Sequence, residues 1–160
     1  MDKLKPKQDS PGVVIPPPAI YALIFVSSVM IQRALPLNNI FFYSIVSKMT
    51  GIFLMLISLF FSIRSLRQFF LSKNTLILIR PASSLQTSGI YRLTRNPMYT
   101  ALALLYLGLT FLIGNWWNLI LFPFLILIVQ EYIIKREEKY LERAFGQEYL
   151  NYKLKVRRWI

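Results

Sequence analysis

The chain has 160 residues with neither cysteine nor histidine, and only 16% are charged, against roughly 25% in soluble domains. A 55% hydrophobic content and a mean hydropathy of +0.46 describe a membrane protein with short polar ends, long enough for one domain. Without thiols or imidazoles, disulfides, zinc–thiolate centres, cysteine nucleophiles and histidine bases are excluded, leaving Arg, Lys, Glu, Asp, Tyr or a bound cofactor to do any chemistry.

Residues 1–15 read as a cytoplasmic tail carrying Lys3, Lys5 and Lys7, and residues 16–160 as a single membrane domain. The first apolar run, Ala19–Ile31, follows three prolines, which a helix tolerates in its first turn. It ends without a small-residue cleavage site, which argues against a signal peptide. With its prolines and a snorkelling Arg33 it makes a first span, although about 20 residues is the usual length. A turn at 35–39 and an interfacial Ile40–Tyr43 lead to a second span from about Ser44 to Ile63, followed by Arg64, Arg67 and Lys73. Thr75–Ile79 is too short to span and is placed at the interface.

Met98–Ile113 and Trp117–Val129 are the third and fourth spans. The hairpin Gly114-Asn115-Trp116 joins them, its tryptophans suited to a headgroup belt. Pro123 is a candidate kink. Glu131–Ala144 continues as a charged helix that stops near Gly146. The fold class is therefore all-α: a helical membrane bundle of about four spans with a C-terminal cytoplasmic amphipathic helix.

The net charge of +12 does not make a nucleic-acid surface, because the basic residues flank apolar runs. With both termini inside, every Lys and Arg except Arg33 and Lys48 falls on the cytoplasmic side, as the positive-inside rule requires. Between Asp9 and Glu131 there is no carboxylate. Glu131, Lys135, Glu138 and Glu142 share one helical face, with Glu137 beside it. A solvated helix surface accounts for such a pattern in most proteins. Here Arg92 and Arg95 lie at the same membrane face, and pairing them with Glu137 or Glu138 satisfies both sides.

Ser83–Tyr99 is polar, irregular backbone at the mouth of a span, costly unless it binds something polar. Gly89 reads equally as a positive-φ turn residue or as a point of close ligand approach. Asn96-Pro97 reads as an N-cap followed by proline at the first helical position, and a helix N-terminus there suits an anion. Tyr91 and Tyr99 read as interfacial anchors or as a purine stack. With no G-x-G-x-x-G after a strand and no phosphate loop, soluble nucleotide folds are excluded.

Three ordered motifs, T-S-G-I-Y-R-L-T-R-N-P-M-Y (Thr87–Tyr99), E-E-K-Y-L (Glu137–Leu141) and F-G-Q-E-Y-L-N-Y (Phe145–Tyr152), resemble the isoprenylcysteine carboxyl methyltransferase family and related membrane phospholipid methyltransferases. The likeness covers about residues 75–160. It implies an integral membrane enzyme that uses S-adenosylmethionine at the cytoplasmic face, with a lipophilic small-molecule acceptor and no metal. By that likeness the cofactor would meet Ser83, Ser84, Leu85, Gln86, Gly89, Tyr91, Asn96, Pro97, Met98, Tyr99 and Glu137. Arg95 would orient Glu137 or bind an anionic substrate group, and Glu138 would take a proton from an amine or thiol acceptor. Two positions depart from the pattern: Asn96 replaces the family's histidine, and Ile133 stands where a substrate-carboxylate arginine is usual, leaving Arg136 or Arg95 as substitutes. The rival readings are an NADPH-dependent membrane reductase of the sterol-reductase type and a scaffold that has lost catalysis.

Overall fold

The computed structural model describes residues 11–71 and 84–160. Among these residues every regular element is helical. Helix α1 spans Pro17–Ala34, α2 Ile45–Leu71, α3 Pro97–Ile113 and α4 Trp116–Ile128. A π-helical segment, Val129–Ile134, joins α4 to α5 (Lys135–Phe145), and α6 is Gln147–Lys155. Short 3-10 turns occur at Ile40–Tyr43 and Gly89–Arg92. Three continuous helices are long and apolar enough to cross a membrane, Pro17–Ala34, Ile45–Gln68 and Trp116–Phe145, and Pro97–Ile113 is a shorter apolar helix. The expected tail before Pro11 and the Thr75–Ile79 segment lie outside the described residues.

The longest helix contact is α2 along α3, and its cause is a stripe of small residues. Ser47, Gly51, Ser58 and Ser65 are buried on one face of α2. A Cβ on Gly51 would lie 2.8 Å from Leu112 Cγ, and one on Gly108 would lie 2.7 Å from Met55 Cγ. The two backbones are therefore close enough that small residues decide the packing, as in membrane helix pairs generally. Hydrogen bonds fasten the same interface: Ser58 Oγ donates to the Ala101 carbonyl at 2.7 Å and Ser47 Oγ to the Phe111 carbonyl at 3.2 Å. Lys48 Nζ reaches the Leu112 carbonyl at 2.7 Å, a cation capping the last turn of α3.

Helix α1 packs on α4 and α3 around Ile20, Tyr21, Tyr99, Tyr106, Leu125 and Ile133. A second cluster, containing Phe61, Ile90, Tyr91, Ala101, Tyr149 and Tyr152, joins α2 and α3 to α6. Leu23, Val26, Phe53, Leu56 and Leu59 are exposed, and such apolar outer faces suit lipid.

The structure refines the sequence reading in four places. Helix α2 does not stop at Ile63 but continues through Arg64 and Arg67 to Leu71, since arginine favours helix and no breaker intervenes. The tryptophan hairpin does more than sit in a headgroup belt. Trp116 Nε1 donates to the Asn38 carbonyl and Trp117 Nε1 to the Leu35 carbonyl, tying it to the α1–α2 loop. At its centre Gly114 takes φ +79°, and a Cβ there would sit 2.8 Å from Phe42 Cβ. Beyond Pro123 the helix widens into the π-helical Val129–Ile134 segment, which shifts the register of α5 relative to α4. Glu131, Glu138 and Glu142 accordingly do not form one solvated face: Glu131 pairs with Lys135 in the open, Glu138 is buried, and Glu142 pairs with Lys153.

Candidate functional site

The site gathers where the 84–96 loop, the start of α3, α5 and the segment after α6 meet. Gly89 opens the Gly89–Arg92 turn with φ +60°, and among the described residues only Gln68 Oε1, at 3.4 Å, would meet a Cβ. Backbone conformation therefore selects glycine at this position. The turn buries Ile90 and Tyr91. The Tyr91 hydroxyl lies 3.4 Å from Ser65 Oγ, and its carbonyl accepts from Tyr152 at 2.6 Å. Burial pushes the Tyr91 phenol well above the ordinary tyrosine range; Ser65 opposes the shift, and nearby Glu137 adds to it.

Upstream, Gln86 Nε2 donates to Ser84 Oγ at 2.9 Å, and Gln86 Oε1 accepts from Gln68 at 3.1 Å. Leu85 packs on the cluster around Tyr91. Ser83 lies outside the described residues. Asn96 occupies the N-cap position of α3, with Pro97 and Met98 next, but its side chain does not cap the helix. Its Nδ2 donates instead to the Arg158 carbonyl at 3.0 Å, and Thr94 Oγ1 donates to the same oxygen at 2.9 Å. The expected cap bond is thus replaced by a long-range one.

Two adjacent glutamates diverge. Glu137 accepts from the Tyr99 hydroxyl at 2.8 Å, while Tyr99 is buried and its carbonyl accepts from Tyr21 of α1. Glu138 receives Arg158 through both oxygens, Nε to Oε1 at 3.0 Å and Nη2 to Oε2 at 2.7 Å. Arg95 Nη1 lies 3.3 Å from Glu138 Oε1 and 3.4 Å from the Tyr149 hydroxyl. Arg95 is therefore partnered by Glu138, not by Glu137. Glu138, expected to take a proton, instead has both oxygens engaged by guanidinium groups. Among the described residues, Arg95 Nε is buried without a partner.

Sequence reasoning missed Arg158. The extended segment after α6 lies against the R-N-P loop, with the Arg95 amide donating to the Arg157 carbonyl at 2.9 Å. A basic residue in a basic tail carries no local sign of such a pairing. Tyr149 and Tyr152, on α6, were visible only as part of a motif. Ile133 is fully buried in the first core cluster, which accounts for an apolar residue there. Arg136 lies over the Tyr132 ring and donates to the Gly12 carbonyl at 3.3 Å, so it is turned toward the segment before α1. No group of three metal-ligating side chains converges among the described residues.

The fold and the site define a multi-span helical membrane protein with a cluster of arginine, carboxylate and tyrosine side chains where the 84–96 loop meets α5 and the segment after α6. The chain belongs to the phospholipid methyltransferase family, whose profile matches residues 46–148. It is also 47% identical over 66 residues to an uncharacterized protein of Haemophilus influenzae, a match covering 39% of this chain and the whole of that protein. No solved structure matches.

Proposed function

We propose that the chain transfers a methyl group from S-adenosylmethionine to a lipophilic acceptor at the cytoplasmic face of the membrane. The observation that carries this reading is the Tyr99–Glu137 hydrogen bond, set beside buried Tyr91 and the unpartnered Nε of Arg95. Tyr99 occupies one oxygen of Glu137 and leaves the other able to accept from a ligand hydroxyl or to face a cationic centre. The buried Arg95 Nε is a donor in want of an anionic partner, and a ligand carboxylate fits that need. Ser84, Leu85, Gln86, Gly89, Tyr91, Asn96, Pro97, Met98, Tyr99 and Glu137 would hold the cofactor.

Bound S-adenosylmethionine supplies a methyl on a sulfonium, already a good leaving group. The protein's part is alignment and exclusion of water. Tyr91 and Tyr99 set buried phenols beside Glu137. Glu138 anchors Arg95, holding its guanidinium in one place. A carboxylate acceptor needs no base in this arrangement. An amine or thiol would release its proton to solvent or to the second oxygen of Glu137, since both Glu138 oxygens are taken. The charge distribution supports a cytoplasmic site: the flanks of this end of the bundle hold Arg64, Arg67, Arg92 and Arg157.

Calorimetric titration of S-adenosylmethionine into detergent-purified protein tests the reading. Saturable binding, weakened about tenfold or more in Glu137→Gln and Tyr91→Ala, is the expected result. Absence of binding by folded wild-type protein would sink it.

A further inference from the structure

We propose a second ligand site, which shares Gly89 alone with the candidate cofactor residues: the cavity between the last turns of α2 and the Gly89–Arg92 turn receives the phosphodiester headgroup of an anionic membrane lipid. The cavity measures about 320 Å³. Arg64 and Arg67 line it from α2, three residues apart and so on one helix face. Its apolar lining comes from Phe60, Ile90 and Leu93. The Arg64 guanidinium sits 5.5 Å over the Phe60 ring.

Charge, depth and shape each select this ligand. The sequence has no carboxylate between Asp9 and Glu131. Glu131, Glu137, Glu138 and Glu142 are engaged by Lys135, Tyr99, Arg158 and Lys153. Glu148 stands exposed in the first turn of α6, and no carboxylate lines the cavity among the described residues. The protein thus leaves the two cavity arginines unneutralised by these groups. They stand at the end of the apolar span Ile45–Gln68, the depth at which lipid phosphates lie. Below them the exposed face of Leu56, Leu59, Phe60 and Ile63 offers acyl chains an apolar track. A free phosphate would use the arginines but not the track. The cavity is also coupled to the candidate cofactor loop, because Gln68 in its wall donates to Gln86 Oε1 at 3.1 Å and Ser88 Oγ at 2.9 Å. Two arginines with no carboxylate in the lining favour a net-negative headgroup over a zwitterionic one, which separates this lipid from an amine acceptor, and the site stands whether or not methyl transfer does.

Native mass spectrometry of the detergent-purified full chain, titrated with phosphatidylglycerol, phosphatidylcholine or inorganic phosphate, tests this. Phosphatidylglycerol is expected to bind saturably, at least about tenfold tighter than phosphatidylcholine. Arg64→Gln with Arg67→Gln should abolish that preference, and Lys139→Gln with Lys155→Gln, equal in charge, exposed and outside the cavity lining, should leave it. Should the first pair unfold the protein on a circular dichroism melt, Leu93→Glu places a carboxylate at the cavity without removing either arginine and should have the same effect. Equal loss in both double variants, or no loss on charging the cavity, overturns the proposal. Inorganic phosphate competing as well as the lipid would assign the cavity to a free anion and overturn it too.

Discussion

Arg158 grips Glu138 through two parallel hydrogen bonds of 3.0 and 2.7 Å, while its own carbonyl accepts from Thr94 and Asn96. One residue from the far end of the chain therefore holds a buried carboxylate on α5 and the loop that begins α3. Its guanidinium is raised further above the ordinary arginine range chiefly by the hydrogen bonds to Glu138, so it remains charged at any working pH. Removing one partner of a buried pair leaves a desolvated charge.

Arg158→Gln is expected to destabilise by about 1–3 kcal/mol, below the full cost of a broken buried pair because Arg95 still faces Glu138. Arg158→Lys keeps the charge but not the fork, and should lose about half as much. Thermal melts in detergent read both. A melt of Arg158→Gln unchanged from wild type would show the pair to be worthless.

Tyr99→Phe removes one hydrogen bond and keeps the ring in the first core cluster. Stability should fall by about 1 kcal/mol, whereas S-adenosylmethionine affinity should fall several-fold more than in Tyr132→Phe, whose ring lies under Arg136. Calorimetry beside a melt separates the two effects.

Gly89→Ala should cost about 1–2 kcal/mol from left-handed backbone alone, because its Cβ would meet nothing closer than 3.4 Å among the described residues. Gly89→Asn, which tolerates that conformation better, should recover much of it. Gly108→Val is a different case. It drives Cβ into Met55 and the Gly51 carbonyl, and overpacking should cost about 1–3 kcal/mol or more. If Gly89→Asn proved worse than Gly89→Ala on the same melts, the backbone explanation would fail.

The phenols of Tyr91, Tyr149 and Tyr152, all outside the spans, are each raised first by burial. A raised folded-state value means their contribution is intact below the ordinary value of about 10 and is lost as pH rises through the folded one. Melting temperatures should thus hold up to about pH 10 and fall as pH rises beyond it. The drop should be smaller in Tyr149→Phe than in wild type.

Much was legible along the chain because membrane insertion is read locally. Apolar runs of sufficient length, the missing carboxylates and the clustered arginines determine an all-helical membrane fold without reference to any long-range contact. The ordered motifs likewise pointed to the family. The i,i+4 pair Glu131–Lys135 and an arginine partner for Glu137 or Glu138 were legible too, whereas tertiary structure decided the long-range pairings. The π-helical turn at Val129–Ile134 rotates Glu138 inward and leaves Glu131 outside. The segment after α6 folds back on the R-N-P loop, so Arg158 takes Glu138, and Asn96 bonds across sixty-two positions instead of capping its own helix. Pairings of that sequence separation depend on how helices dock and on which partners burial makes unavoidable, and no stretch of sequence holds that information by itself.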